Sequence, residues 1–199
     1  MDTYTPSRQP LGKPEYSRNE IIAHICASVD ANRHILTFAD QKKIYEKHPI
    51  LDNTTNCFAW TIGATAPVKK GHGYGLYNPG SISGHEKLPA TLLGIDLISG
   101  EELFEAYQRD LKFFNFTTSL SRDAMEAIFM VHKNGRGLVE DFHFIVHHPD
   151  DTYSEKAHWD CPPYEIKSPE RSYSFHYQTV DSVRFQKDIK RSTYYMNPD

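Results

Sequence analysis

The hydrophobic period of this chain changes near Ala124, and that change limits the folds open to it more than any other feature. Before it, apolar residues recur at helical spacing. Ile21, Ile22, Ile25, Cys26 and Val29 follow the capping pair Ser17 and Glu20, which predicts a helix over about 18–30. Thr37 and Asp40 start a second helix, with Phe38, Ile44 and Tyr45 inward up to about Lys47. The polar stretch Asp52–Asn56 leads into Cys57–Ile62 and then Gly63, a short capped helix. Ser99 and Glu102 open another, whose Leu103, Phe104, Tyr107 and Leu111 share one face.

After Ala124 the pattern is that of strands. Ala127–Val131 reads as one, Asn134–Gly137 as a turn, and Leu138–His147 as the returning strand. A turn at Pro149–Asp151 sends the chain back through Tyr153 to Trp159, so an antiparallel meander is expected. Residues 173–179 add a fourth strand in this reading, and 181–190 a closing helix. Helices followed by antiparallel strands make the chain α+β.

With 199 residues, 39% of them hydrophobic and 13% aromatic, the chain can bury a core of its own. Residues 1–16, with Pro6, Pro10 and Pro14, read as a flexible arm, and 17–199 as a single domain. Residues 64–90, rich in glycine and proline, form a long loop suited to wall a cleft. A net charge of -4 and scattered lysines and arginines lack the basic footprint that nucleic acid requires. No apolar run approaches a membrane span, and the N-terminus carries no Sec-type signal. Three cysteines are too few for a disulfide framework and suit a reducing compartment, either the cytoplasm or a destination reached without a Sec signal. Cys26 lies on an apolar helical stripe and reads as a structural thiol.

Cys57 differs. A thiol in the first turn of a helix meets unpaired N–H groups and the positive end of the helix dipole, which favour thiolate and can hold an oxyanion. On the strand after the turn, period two places Phe142, Phe144 and Val146 on one face and Asp141, His143, Ile145 and His147 on the other. His143, turned from the most apolar layer, is the candidate base. The residue that orients its ring is expected on the next strand, where Glu155, His158 and Asp160 all qualify. Asn56 and Trp60, beside the thiol, are the candidate substrate-binding residues.

Four short segments in order carry a resemblance: Asn56-Cys57-Phe58-Ala59-Trp60, Asn78-Pro79-Gly80-Ser81-Ile82-Ser83-Gly84, Asp141-Phe142-His143-Phe144 and Tyr153-Ser154-Glu155-Lys156. They resemble the NCYAYA, PG..SG, DFHFYR and WSHK elements of bacterial papain-like, NlpC-like cysteine peptidases. The resemblance covers about residues 50–165. It implies a papain-like arrangement in which the cysteine-bearing helix packs on an antiparallel sheet, with Cys57 as nucleophile and His143 as base. Glu155 stands where that pattern often has histidine.

The expected activity is hydrolysis of an amide bond in a protein or peptide, by a peptidase, amidase or glutamine deamidase, through a Cys57 thioester and without a cofactor. A translocated bacterial effector or toxin fits these features by analogy. Two rival readings remain at this level: a papain-like binding or adaptor module without catalysis, and a zinc site drawn from His143, His147, His158, Asp160 and Cys161.

Overall fold

The computed structural model describes residues 18–49, 51, 55–64, 79–80, 82–83, 98–157 and 161–187. Helix α1 spans Arg18–Ala31, α2 Phe38–Lys47, α3 Cys57–Ile62 and α4 Gly100–Phe113. The strands are β1 (Phe116–Thr118), β2 (Met125–Lys133), β3 (Val139–His147), β4 (Tyr153–Glu155), β5 (Tyr164–Ile166) and β6 (Gln178–Lys187). They form one antiparallel sheet in the order β1-β6-β2-β3-β4-β5. The α+β class is therefore as expected.

Local chemistry fixes the helix ends. Thr37 caps α2 by accepting the Asp40 N–H, and Ser99 and Glu102 form a reciprocal capping box on α4. Asn56 Oδ1 accepts the Ala59 N–H at 3.0 Å, so α3 begins at Cys57. It ends at Gly63, whose φ of 72° lets Gly63 N–H reach Trp60 O while Ala64 N–H reaches Ala59 O. A side chain there would be strained, and its Cβ would lie 3.1 Å from Lys187 Nζ.

The two faces of the sheet are covered differently. Ala127, Phe129 and Val131 of β2, Phe142, Phe144 and Val146 of β3, and Val183 and Phe185 of β6 pack with the helices in the main core. Phe144 sits between Phe129, at 4.9 Å between centroids, and Tyr107 of α4, at 4.5 Å. All six residues of α3 are buried, as a helix apolar on every side must be. On the opposite face Met130, Ile145 and Ile166 make a smaller cluster with Ile128, Tyr153 and Tyr177.

Three expectations need correction. The segment 181–190 is not a closing helix: residues 181–187 belong to β6, which pairs with both β2 and β1. Its sequence alternates Val183, Phe185 and Lys187 inward with Arg184 and Gln186 between them, a period of two. Nor is 173–179 a strand, because residues 173–176 turn over the smaller face and β6 starts at Gln178. Finally, β4 stops at Glu155 rather than running to Trp159. The short strands β1 and β5 were not anticipated. The 1–16 arm and most of the 64–90 loop lie outside the described residues, as do His158 and Asp160.

Candidate active site

The β2–β3 hairpin sets where His143 stands. Met130 pairs with His143, and Phe129 and Val131 pair with Phe144 and Phe142. His143 thus falls on the smaller face, as the alternation predicts, yet it is fully buried there. The ring of Tyr173 stands edge-on to it at 4.8 Å between centroids. The freedom expected of a base is absent in this closed arrangement.

Glu155 is the residue that holds the ring. Its Oε2 lies 2.8 Å from His143 Nε2 and 2.5 Å from Ser172 Oγ, while Oε1 accepts from Tyr164 Oη at 2.6 Å and from Tyr173 N–H at 3.2 Å. Burial pushes the carboxyl upward, but its hydrogen bonds, that with His143 first among them, outweigh this and hold it below the usual range. An ionised carboxylate only accepts, so Nε2 of His143 must carry its proton. In the neutral ring Nδ1 is then a bare lone pair. That nitrogen is buried and has no hydrogen-bond partner among the described residues.

Cys57 meets β3 at its edge. Pairing with β4 covers only Ile145, Val146 and His147 of β3, leaving the stretch before them without a strand partner on that side among the described residues. Cys57 Sγ lies 4.0 Å from Phe142 O, and the Phe144 N–H also interacts with it. The sulfur therefore sits against the backbone on either side of His143. It makes no hydrogen bond to the imidazole.

The expected low thiol pKa is not found. Cys57 is 7% exposed, and burial, helped by the nearby Asp141 carboxylate, pushes its thiol up to about 12. The Phe144 and Phe58 N–H groups and the Lys156 cation oppose this without reversing it. A six-residue helix has a small dipole, and loss of water outweighs it.

The two candidate substrate-binding residues have structural partners. Asn56 is the cap of α3. Trp60 is buried edge-on to Tyr45, at 5.2 Å between centroids, and donates from Nε1 to Ser154 Oγ at 3.0 Å. Ser154 Oγ in turn lies 2.7 Å from His148 Nε2, and His148 Nδ1 is 2.7 Å from Leu36 O. This chain of donors ties α3, β4 and the end of β3 together. Of the proposed zinc set, His143 is engaged by Glu155, and His147 by Asp151 at 2.9 Å and Glu126 at 3.4 Å. Among the described residues no three metal-ligating side chains converge.

Sequence reading missed Ser172, Tyr164 and Tyr173, whose approach to Glu155 is tertiary. It also missed Asp110, which is detectable as a carboxylate at offset 7 from Leu103 on the apolar face of α4. Asp110 is fully buried and accepts the N–H groups of Gly80 and Ser83, anchoring the glycine-rich segment singled out above. Burial raises its carboxyl to about 6 despite those donors.

Comparison with protein-family models, curated proteins and solved structures gives no match. No described helix is long and apolar enough to cross a membrane.

Proposed function

We propose that the protein is a cysteine-nucleophile amide hydrolase of papain-like arrangement, with Cys57 as nucleophile, His143 as base and Glu155 as the residue that orients the base. The observation that carries this reading is the state of His143. Its Nε2 is fixed on an acceptor-only carboxylate while Nδ1 is buried and unpartnered, on the strand stretch whose edge holds the Cys57 sulfur. Leaving a buried ring nitrogen unpaired costs about 1–3 kcal/mol, a cost that a structural histidine in a core would avoid.

In the mechanism His143 Nδ1 takes the Cys57 proton, and Sγ attacks the carbonyl carbon of the substrate amide. The tetrahedral oxyanion is held by N–H groups at the start of α3. The imidazolium, stabilised by Glu155, gives its proton to the leaving nitrogen as the C–N bond breaks. Water, deprotonated by His143, then attacks the thioester carbon and releases the acid and the thiol. Peptidase, amidase and glutamine deamidase share these steps. The first of them requires the sulfur to swing from Phe142 O toward Nδ1. Three cysteines, none in a disulfide, suit a reducing compartment, whether of the producing cell or of a cell that receives a translocated effector.

A second reading draws on the buried thiol: with its pKa raised and its contact made to a carbonyl, Cys57 also fits an inactive adaptor of the same fold. A peptide bearing an acyl electrophile separates the two. The hydrolase labels at Cys57 faster than at the more exposed Cys161, and His143→Ala abolishes the difference. Labelling of Cys57 no faster than Cys161, or unchanged in His143→Ala, overturns the hydrolase reading.

A further inference from the structure

Beside the sulfur the smaller sheet face carries a carboxylate and aromatic rings, and no lysine or arginine among the described residues pairs with that carboxylate. Asp141 stands two residues before His143 on β3, hence on the same face, and remains exposed. Its Oδ1 accepts the Phe142 N–H at 2.8 Å and its Oδ2 the Tyr177 hydroxyl at 2.6 Å, which uses about half the capacity of a carboxylate. No lysine or arginine pairs with Asp141 among the described residues. The Tyr177 ring stacks on His132, at 5.6 Å between centroids, and the Tyr173 ring, already against His143, lies 6.4 Å from Tyr177. Glu140, exposed and 3.3 Å from His132 Nδ1, adds a further negative charge at the rim.

The buried cation near the thiol is committed elsewhere. Lys156 Nζ donates to Cys161 O at 2.5 Å and is fully buried. Among the described residues on this side of the sheet, then, the sign is negative and the surfaces are aromatic, the combination that attracts an ammonium or guanidinium group and repels a carboxylate.

We infer that Asp141, Tyr173 and Tyr177 form a subsite for a cationic side chain, so that the amide taken to Cys57 is flanked by lysine or arginine. The inference rests on the hydrolase reading for its reaction but not for its binding. The ammonium or guanidinium group would take the unused lone pairs of Asp141 and lie against the tyrosine faces. Norleucine, which keeps the four side-chain carbons of lysine without the ammonium group, would gain only the apolar contact.

The test uses the full chain carrying Cys57→Ala and N-acetylated tetrapeptide amides that differ at one position as lysine, norleucine or glutamate. Lysine is expected to bind about tenfold tighter than norleucine, as an exposed ion pair and a cation–π contact together provide, and glutamate weakest. Asp141→Asn, which keeps an acceptor for the Phe142 N–H, should reduce the lysine advantage to within about twofold. The same advantage should shrink as salt is raised, a measurement that needs no second substitution. Equal affinity for lysine and norleucine, a preference that survives Asp141→Asn, or one indifferent to salt overturns the subsite. Labelling of Cys57 in the unsubstituted chain judges the nucleophile separately, so a failed hydrolase and a failed subsite give different results.

Discussion

His143 and Glu155 are both fully buried, and their side chains meet at 2.8 Å through Nε2 and Oε2. Register produces the contact. Ile145 pairs with Glu155 across β3 and β4, which sets Glu155 diagonally beside His143 on the same face. Three further donors converge on the carboxylate, so Glu155 both fixes the tautomer of His143 and ties the 164 and 172–173 segments to the sheet.

Glu155→Gln keeps the shape but puts an amide N–H₂ among donors. If that group faces Nε2, His143 must move its proton to Nδ1 and lose its ability to accept from Cys57. By analogy with exchange of a triad aspartate for asparagine, kcat should fall by about 10²–10⁴ with KM little changed. Glu155→Ala should in addition destabilise the fold by about 3–5 kcal/mol, because several buried donors lose their acceptor. Steady-state kinetics with urea unfolding separate these effects. An unaltered kcat in Glu155→Gln removes Glu155 from the proposed mechanism.

The thiol of Cys57 predicts an alkaline limit to stability. A thiol that ionises at about 12 when folded and near 8.5 when unfolded holds its proton more tightly in the native state. Above the unfolded value the unfolded chain has lost that proton, so stability falls as pH rises through the window between the two values. The slope is about 1.4 kcal/mol per pH unit for one such group. Cys26, raised to about 11 mainly by burial, adds a second contribution up to its own value. Urea titrations at pH 8.5 and 10 should show a loss that Cys57→Ala reduces. In the resting protein iodoacetamide at pH 8 should modify Cys161 before Cys57, and the reverse order would contradict the closed site.

Helix boundaries, hairpin and strand faces could be read from the sequence because each depends on neighbours in the chain. Asn56 and Gly63 cap α3 in place, and the alternation at 142–147 divides β3 as observed. Where reading failed, distant partners decide. β6 carries its own period of two, but only over Val183 to Lys187, too short to decide against a helix, and the edges of β2 and β1 on either side make it a strand. The thiol pKa went wrong for a similar reason: the α3 N-terminus is visible in sequence, but the burial that overrides it comes from packing. Register arithmetic alone could not choose among Glu155, His158 and Asp160, and the contact that assigns Glu155 to His143 is made across strands.

Asp110 should govern the segment at Gly80 and Ser83. Its carboxylate accepts both N–H groups from a fully buried position, and charged hydrogen bonds of this kind contribute about 1.5–3 kcal/mol. Asp110→Asn can accept from one N–H only and turns an amide N–H₂ toward the other. Hydrogen exchange at Gly80 and Ser83 should therefore accelerate about tenfold or more, with exchange in β2 and β3 little altered. Burial lifts the Asp110 carboxyl to about 6, so an opening that returns it to water, where it would titrate at about 3.9, is opposed by proton binding; in the unsubstituted protein the protection of the same two amides, corrected for their intrinsic rates, should rise as pH falls through that window. Exchange that is insensitive to both changes would detach Asp110 from this role.

His148 predicts the acid limit. Its Nδ1–H donates to Leu36 O, and Nε2 accepts from Ser154 Oγ, whose own acceptor site is taken by Trp60 Nε1–H. A protonated ring would need a second acceptor where Ser154 is already donating, and burial first of all holds the group down to about 4 from an ordinary 6.5. Between those values the unfolded chain binds the proton and the native protein does not, so stability rises with pH. It is present in full above about 6.5 and is lost as pH falls toward 4, by up to about 3 kcal/mol. His148→Gln offers an N–H₂ for Leu36 O and an oxygen for Ser154 without a titrating ring. It should lower stability at pH 7 by about 1–2 kcal/mol through imperfect packing yet flatten the decline between pH 6.5 and 4.5. Urea midpoints for both proteins at pH 7, 6 and 5 decide the matter, and parallel curves would mean that the acid sensitivity arises elsewhere.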